Sequence, residues 1–238
     1  PPGVNGRTAK EFRSVMGRRP VGGIFSVGLE EPYRWKDSVQ SEPEIRQWVA
    51  EGTANGMRPW FTKFSGVLYD RRWLPVVERI YKWHADHERY LRNEWPLARV
   101  ALLQSDQTET YHPGVAAGDR AADHVLGMYP ALIEARVPFE LVHEAYLTAD
   151  RLGAFKLLIL ADAAALSDAQ CAAIRAYVAG GGSVLATFAS SLYDETGQRR
   201  SDFGLADTFG VSFGGRIDGP MQDSYLNLDP DPGIGRRH

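Results

Sequence analysis

A single cysteine, Cys171, occurs in 238 residues, which excludes an internal disulfide and any cysteine-based metal cluster. No run reaches the roughly 18 apolar residues that a membrane-spanning helix needs, and no basic-then-apolar leader opens the chain. An excess of either charge is also missing: 27 Lys and Arg stand against 30 Asp and Glu, a net charge of -3. Nothing electrostatic therefore argues for nucleic acid or an acidic membrane surface as a partner. A cytoplasmic location is the default expectation. Tryptophan is absent after Trp95, although all six lie within the first 95 residues. The chain opens on Pro1-Pro2-Gly3 without an initiator methionine and stops after a loop-like run at His238, so it reads as a piece of something longer.

The tryptophan boundary coincides with a change to Ala, Val, Leu and Gly, which argues for two domains meeting near Trp95-Pro96. In the first, Val21 to Gly28 is a short buried strand. Ser41-Glu42-Pro43-Glu44 opens a helix, with Ser41 as N-cap, Glu44 completing a capping box and Pro43 in the first turn. Ile45, Trp48 and Val49 share its apolar face, and Gly56 ends it. Met57 to Phe64 is a second strand, weakened by Pro59. A long helix from about Arg72 to Leu91 carries Val76, Val77, Ile80, His84 and Leu91 on one face.

The second domain alternates more cleanly. Strands are expected at Arg99 to Gln104, Phe139 to His143, Leu157 to Ala161 and Val184 to Phe188. Between them lie a helix from Asp119 to Ala135, kinked at Pro130, and one from Asp168 to Ala179, capped by Ser167 and ended by Gly180 to Gly182. Continuous apolar strands separated by amphipathic helices imply an α/β fold: a parallel sheet covered on both faces, in a three-layer, doubly wound αβα domain. Asp202 to Phe213 reads as a short helix and a strand. From residue 215 onward the chain reads as a polar tail.

Chemistry is sparse. Glu30 and Glu31 follow the first strand, where a barrel glycosidase would keep its nucleophile or its acid. Arg34, Trp35, Trp60 and Lys63 suit a sugar site, with aromatic faces for pyranose rings and cations for hydroxyls or carboxylates. The plainer alternative is two solvated glutamates in a loop. A hydrolase also needs a second carboxylate, roughly 5 to 10 Å from the first, and nothing in Pro1 to Pro20 resembles a strand end presenting one. His84 and His87 could form an i,i+3 metal pair, but their place near the apolar face favours packed histidines. No metal and no cofactor are expected.

Cys171 lies inside a helix, away from the strand-to-helix turn where a nucleophile belongs. Gly180-Gly181-Gly182 follows a helix and precedes a strand, the reverse of a phosphate-binding loop. Asp106, Thr108, Glu109, Tyr111 and His112 are placed on the carboxyl edge of the second sheet, where such folds bind ligands but where polar loops lie in any case.

Three segments together, MRPWFTKF with WLPVVERIYKWHADHERYL, ARVALLQSDQT, and KLLILADAAALSDAQCAAIRAYVAGGGSVLATFASSLYDETG running into DFGLADTFGVSF, resemble the C-terminal half of family 42-type β-galactosidases. The related "hypothetical glycosyl hydrolase 6" group shares the pattern. The resemblance implies that residues 1–96 close a (β/α)8 barrel. Residues 97–214 would then form a flavodoxin-like, class I glutamine amidotransferase-like trimerisation domain. It implies a nucleophilic glutamate at Glu30 or Glu31, an acid/base glutamate outside this chain, a carbohydrate substrate for the parent and a homo-oligomer, possibly a trimer. The amidotransferase likeness is one of fold only: Ala189 stands where the cysteine should be. The rival reading is a structural or carbohydrate-binding module of a barrel that has lost catalysis.

Overall fold

The computed structural model describes residues 3–17, 19–26, 39–62, 70–92, 96–112 and 121–217. Helix α1 (Val4–Met16) precedes strand β1 (Val21–Ser26), α2 (Glu42–Ala54), β2 (Met57–Thr62) and α3 (Leu74–Asp86). There follow β3 (Val100–Gln104), α4 (Asp106–Tyr111), α5 (Ala121–Glu134), β4 (Phe139–His143), α6 (Ala149–Leu152) and β5 (Leu157–Ala161). The last elements are α7 (Asp168–Ala179), β6 (Ser183–Thr187) and α8 (Ala206–Phe209). Two parallel sheets result, a β1–β2 pair and a four-stranded sheet in the order β4-β3-β5-β6. The chain thus has the α/β fold expected from its sequence.

In the first sheet, alternation divides the side chains cleanly. Phe25 and Phe61 point to one side, where Ile45 and Val49 of α2 and Val76 and Ile80 of α3 pack against them. Gly52 permits that closeness, since a Cβ there would lie 2.9 Å from the Phe25 ring. Ile24 and Trp60, directly paired across the strands, point to the other side and are 61% and 60% exposed. Among the described residues the sheet is covered on one face only.

Two local expectations fail here. Ser41 does precede α2, but its hydroxyl makes no cap bond, so the capping box does not form. Glu42 and Glu44 in the first turn favour the helix N-terminus instead, and the Glu42 carboxylate ties α2 to Arg79 of α3 at 2.7 Å. The long helix ends early, at Asp86, and continues only as a 3-10 turn over Glu88–Tyr90.

Strands β3, β4 and β5 of the four-stranded sheet are buried on both sides. Leu103, Val142, Leu158 and Leu160 pack with Ile174 and Tyr177 of α7, whereas Leu102, Leu141 and Ile159 pack with Tyr129 and Leu132 of α5. Ser167 and Gln170 close a complete capping box on α7: the Gln170 amide donates to Ser167 Oγ, and the Ser167 amide to Gln170 Oε1.

Helix α1, in a stretch where no element is expected, joins the two sheets. Its buried face is Gly6, Ala9, Lys10 and Ser14. Lys10 Nζ donates to the Phe139 carbonyl at 2.8 Å, and lies 3.4 Å from Glu140 and 5.2 Å from the Phe139 ring centroid. The outer edge of β4 is therefore covered by a buried lysine, one way of blunting an edge strand. Burial lowers the Lys10 pKa, with Glu140 acting in the opposite direction. On its other side α1 reaches α2: the Gly3 amide donates to Glu51 at 3.1 Å.

The expected strand ending at Phe213 is absent: residues 210–213 carry no strand. The Asp202 carboxylate, which accepts the Phe203 and Phe213 amides at 2.7 Å each, fastens this loop. Those amides, Phe213 foremost, together with the Ser212 hydroxyl hold the Asp202 pKa below its usual 3.8. A depressed carboxyl pKa contributes stability above the unfolded value, and that stability is lost as pH falls through the folded one. Asp202→Ala is therefore expected to lower the melting temperature at pH 7. The gap from wild type should close as both are titrated below pH 3.8, as thermal melts across that range would measure.

No helix among the described residues is long and apolar enough to cross a membrane.

Candidate functional site

Because β1 and β2 are parallel and in register, with Ser26 opposite Thr62, their carboxyl ends lie side by side. Glu30, Glu31, Arg34, Trp35 and Lys63 fall in segments 27–38 and 63–69, outside the described residues. Trp60 is the one expected sugar-site residue that can be placed. It stands beside Ile24 on the uncovered face, near the strand ends from which both segments depart.

The histidine pair does not converge. His84 is half-buried, and its Nε2 lacks a hydrogen-bond partner among the described residues. Burial, then the nearby Arg58, lowers its pKa, so the ring is neutral at pH 7. His87 is exposed rather than packed in the core, because α3 ends before it. Its ring stacks on Trp83 at 5.4 Å, and Nδ1 lies 2.8 Å from the Trp83 carbonyl. Among the described residues no group of three or more His, Cys, Asp or Glu side chains could hold a metal ion.

At the carboxyl edge of the second sheet, the segment read as a polar loop is the short helix α4. Ser105 caps it, accepting from the Thr108 amide at 3.1 Å. Glu144 accepts the Asp106 and Gln107 amides at 3.0 and 3.2 Å. His143 Nδ1 accepts from the Ala145 amide, so its proton sits on Nε2, 3.1 Å from Asp106. Burial, then the charge of Asp106, raises the Glu109 pKa. The switch point between β3 and β5, where doubly wound folds open a ligand crevice, is laced shut. Ser105 Oγ donates to Thr108 Oγ1 at 2.8 Å, the Ala165 amide donates to the same Oγ1 at 3.1 Å, and Gln107 Nε2 donates to Ala165 O at 2.7 Å. Thr108 and His112 are buried, whereas Asp106, Glu109 and Tyr111 are exposed.

The turn after β6 has the strained form of a nucleophile elbow, but its left-handed residue is Phe188, with φ 52°. Asp162, at the end of neighbouring β5, is left-handed too, with φ 49°. Such non-glycine residues cost of order 1–3 kcal/mol each and persist only where their surroundings impose them. Here the buried Asp162 carboxylate accepts the Ala189 amide at 3.2 Å and lies 3.6 Å from His124 Nε2. The His124 ring stacks on Phe188 at 5.4 Å and 18°. A phenyl ring offers no nucleophile. Cys171 is buried inside α7, where desolvation pushes its thiol pKa up. Sequence reasoning missed this arrangement because no local pattern announces a left-handed phenylalanine.

No family model matches the chain, and no curated protein matches it either. Solved structures do. The β-galactosidase of the psychrophilic Marinomonas ef1 aligns with a TM-score of 0.68 at 15% identity, over 94% of this chain and 37% of that one. The β-galactosidase of Bacillus circulans sp. alkalophilus gives 0.68 at 14% identity, over 87% and 34%. The α-L-fucosidase isoenzyme 2 of Paenibacillus thiaminolyticus gives 0.59 at 22% identity, over 78% and 27%. At these identities the likeness is one of fold, the α/β fold of these glycosidases. The chain spans about a third of the length of the two β-galactosidases.

Proposed function

We propose that this chain is part of a β-galactosidase-like glycoside hydrolase, acting on O-glycosyl bonds in carbohydrate metabolism. The observation that carries the reading is the one-sided covering of the β1–β2 sheet. Among the described residues, helices pack against the Phe25–Phe61 face, while Ile24 and Trp60 stand side by side uncovered on the other. A parallel sheet with helices on a single face is a wall segment of a (β/α)8 barrel, whose inner face is filled by side chains from further strands. Burying Ile24 and Trp60 there would contribute about 1.5–3 kcal/mol each.

In this reading Glu30 or Glu31 supplies the nucleophile at the mouth of the barrel. Trp35 and Trp60 wall the sugar site, and Arg34 and Lys63 orient hydroxyls. The second carboxylate comes from a barrel strand outside this chain. The β3–β6 unit, with Phe188 in its elbow, takes no part in bond cleavage and holds subunits together, as a trimer.

The test is the full-length parent, assayed on aryl β-galactosides and weighed in solution. Turnover with a mass near three subunits is expected. A parent that binds galactosides without cleaving any O-glycoside would overturn the hydrolase reading, and a monomeric mass would overturn the role given to the second unit.

A further inference from the structure

The two edges of the four-stranded sheet are treated differently. Lys10 and α1 cover β4, whereas β6 pairs only with β5 among the described residues. Beside β6 runs a cleft of about 420 Å³, within the usual range for small-ligand sites, roughly 300–1,000 Å³. Its walls include Leu185, Phe188, Phe203, Thr208, Phe209 and Val211, and every described residue lining it is uncharged. Phe188 is 43% exposed at one end, its plane fixed by the stacked His124 ring and its backbone held left-handed.

We propose that this cleft binds a neutral saccharide, seated against Phe188. Uncharged walls leave a buried ion without a partner, which excludes anionic and cationic ligands. What they offer is aromatic surface for the apolar face of a pyranose ring, with the outward amides and carbonyls of β6 and the Thr208 hydroxyl for sugar hydroxyls. An extended peptide could use the same strand edge. The free edge is only five residues long and is walled by three phenylalanines, which favours a ring over a strand. The site lies on the other sheet from Trp60, and it stands whether or not the parent cleaves glycosides.

The experiment is an NMR titration of the isotope-labelled 238-residue chain with lactose and with methyl β-galactoside. Shift changes are expected at the Leu185, Phe188 and Val211 amides. Phe188→Gly, which suits the left-handed backbone, should leave the chain folded. It should also weaken binding about tenfold, the loss of one stacking contact. Val211→Arg, a surface change at the cleft, should abolish binding in a folded chain. Shifts confined to the surroundings of Ile24 and Trp60 would overturn the proposal while leaving the barrel reading intact. Undiminished affinity in Phe188→Gly, or absence of saccharide binding by the folded chain, would also overturn it.

Discussion

Replacing Glu30 and Glu31 together by glutamine in the full-length parent is expected to lower kcat by at least about 10³-fold, roughly 4 kcal/mol of lost transition-state stabilisation. The amide is nearly isosteric with the carboxylate, so binding and fold should survive while the nucleophile proposed to attack the anomeric carbon is lost. The single variants divide the effect unequally: one carries nearly all of it and the other almost none. Hydrolysis of an aryl β-galactoside, followed at saturating substrate, makes the measurement. Wild-type turnover in the double variant would remove both glutamates from the mechanism.

Lys10→Met is expected to cost about 1–3 kcal/mol of stability, because it leaves the buried Phe139 carbonyl without its donor and Glu140 without its cation. The loss should be local first. Amide hydrogens of α1 should exchange faster, with those of β3 and β5 little changed. The pH dependence has a definite sign. The folded-state pKa of Lys10 lies below 10.5, so the unfolded chain binds the proton more tightly between the two values. Wild-type stability attributable to this residue therefore rises as pH climbs from the lowered value to 10.5. The methionine variant lacks that rise. Denaturant melts of both proteins between neutral pH and pH 10.5 would expose the difference; parallel curves would mean that the folded-state pKa of Lys10 is not lowered.

Strands β3 to β6 were legible within about a residue because each is short and centred on apolar residues between strong punctuators, such as Ser167 before α7 and Gly180 after it. Helix α1 was not legible. Its large apolar residues, Val4, Phe12, Val15 and Met16, face outward, and its inward face is small or polar, so the pattern runs opposite to the usual amphipathic rule. Asp202 satisfies the Phe213 amide from a side chain, which removes the reason for a strand that Val211 and Phe213 suggested. Helix α4 is six residues long and polar, too brief for periodicity to register. Of the candidate sugar-site residues, Trp60 is the one the structure places. Sequence could nominate it from aromatic chemistry, but its position on an uncovered face depends on pairing with Ile24 across the strands.

Helix α1 reaches β4 from more than a hundred residues away, and this bears on how the chain could be cut or shuffled. A chimaera that borrowed residues 97–214 alone would inherit the sheet and leave its guard behind. Strand β4 would then be naked on the side that Lys10 now seals, a ready template for addition of foreign strands. The transferable module is accordingly both sheets plus the leading helix, and swapped pieces that omit it should self-associate in proportion to concentration.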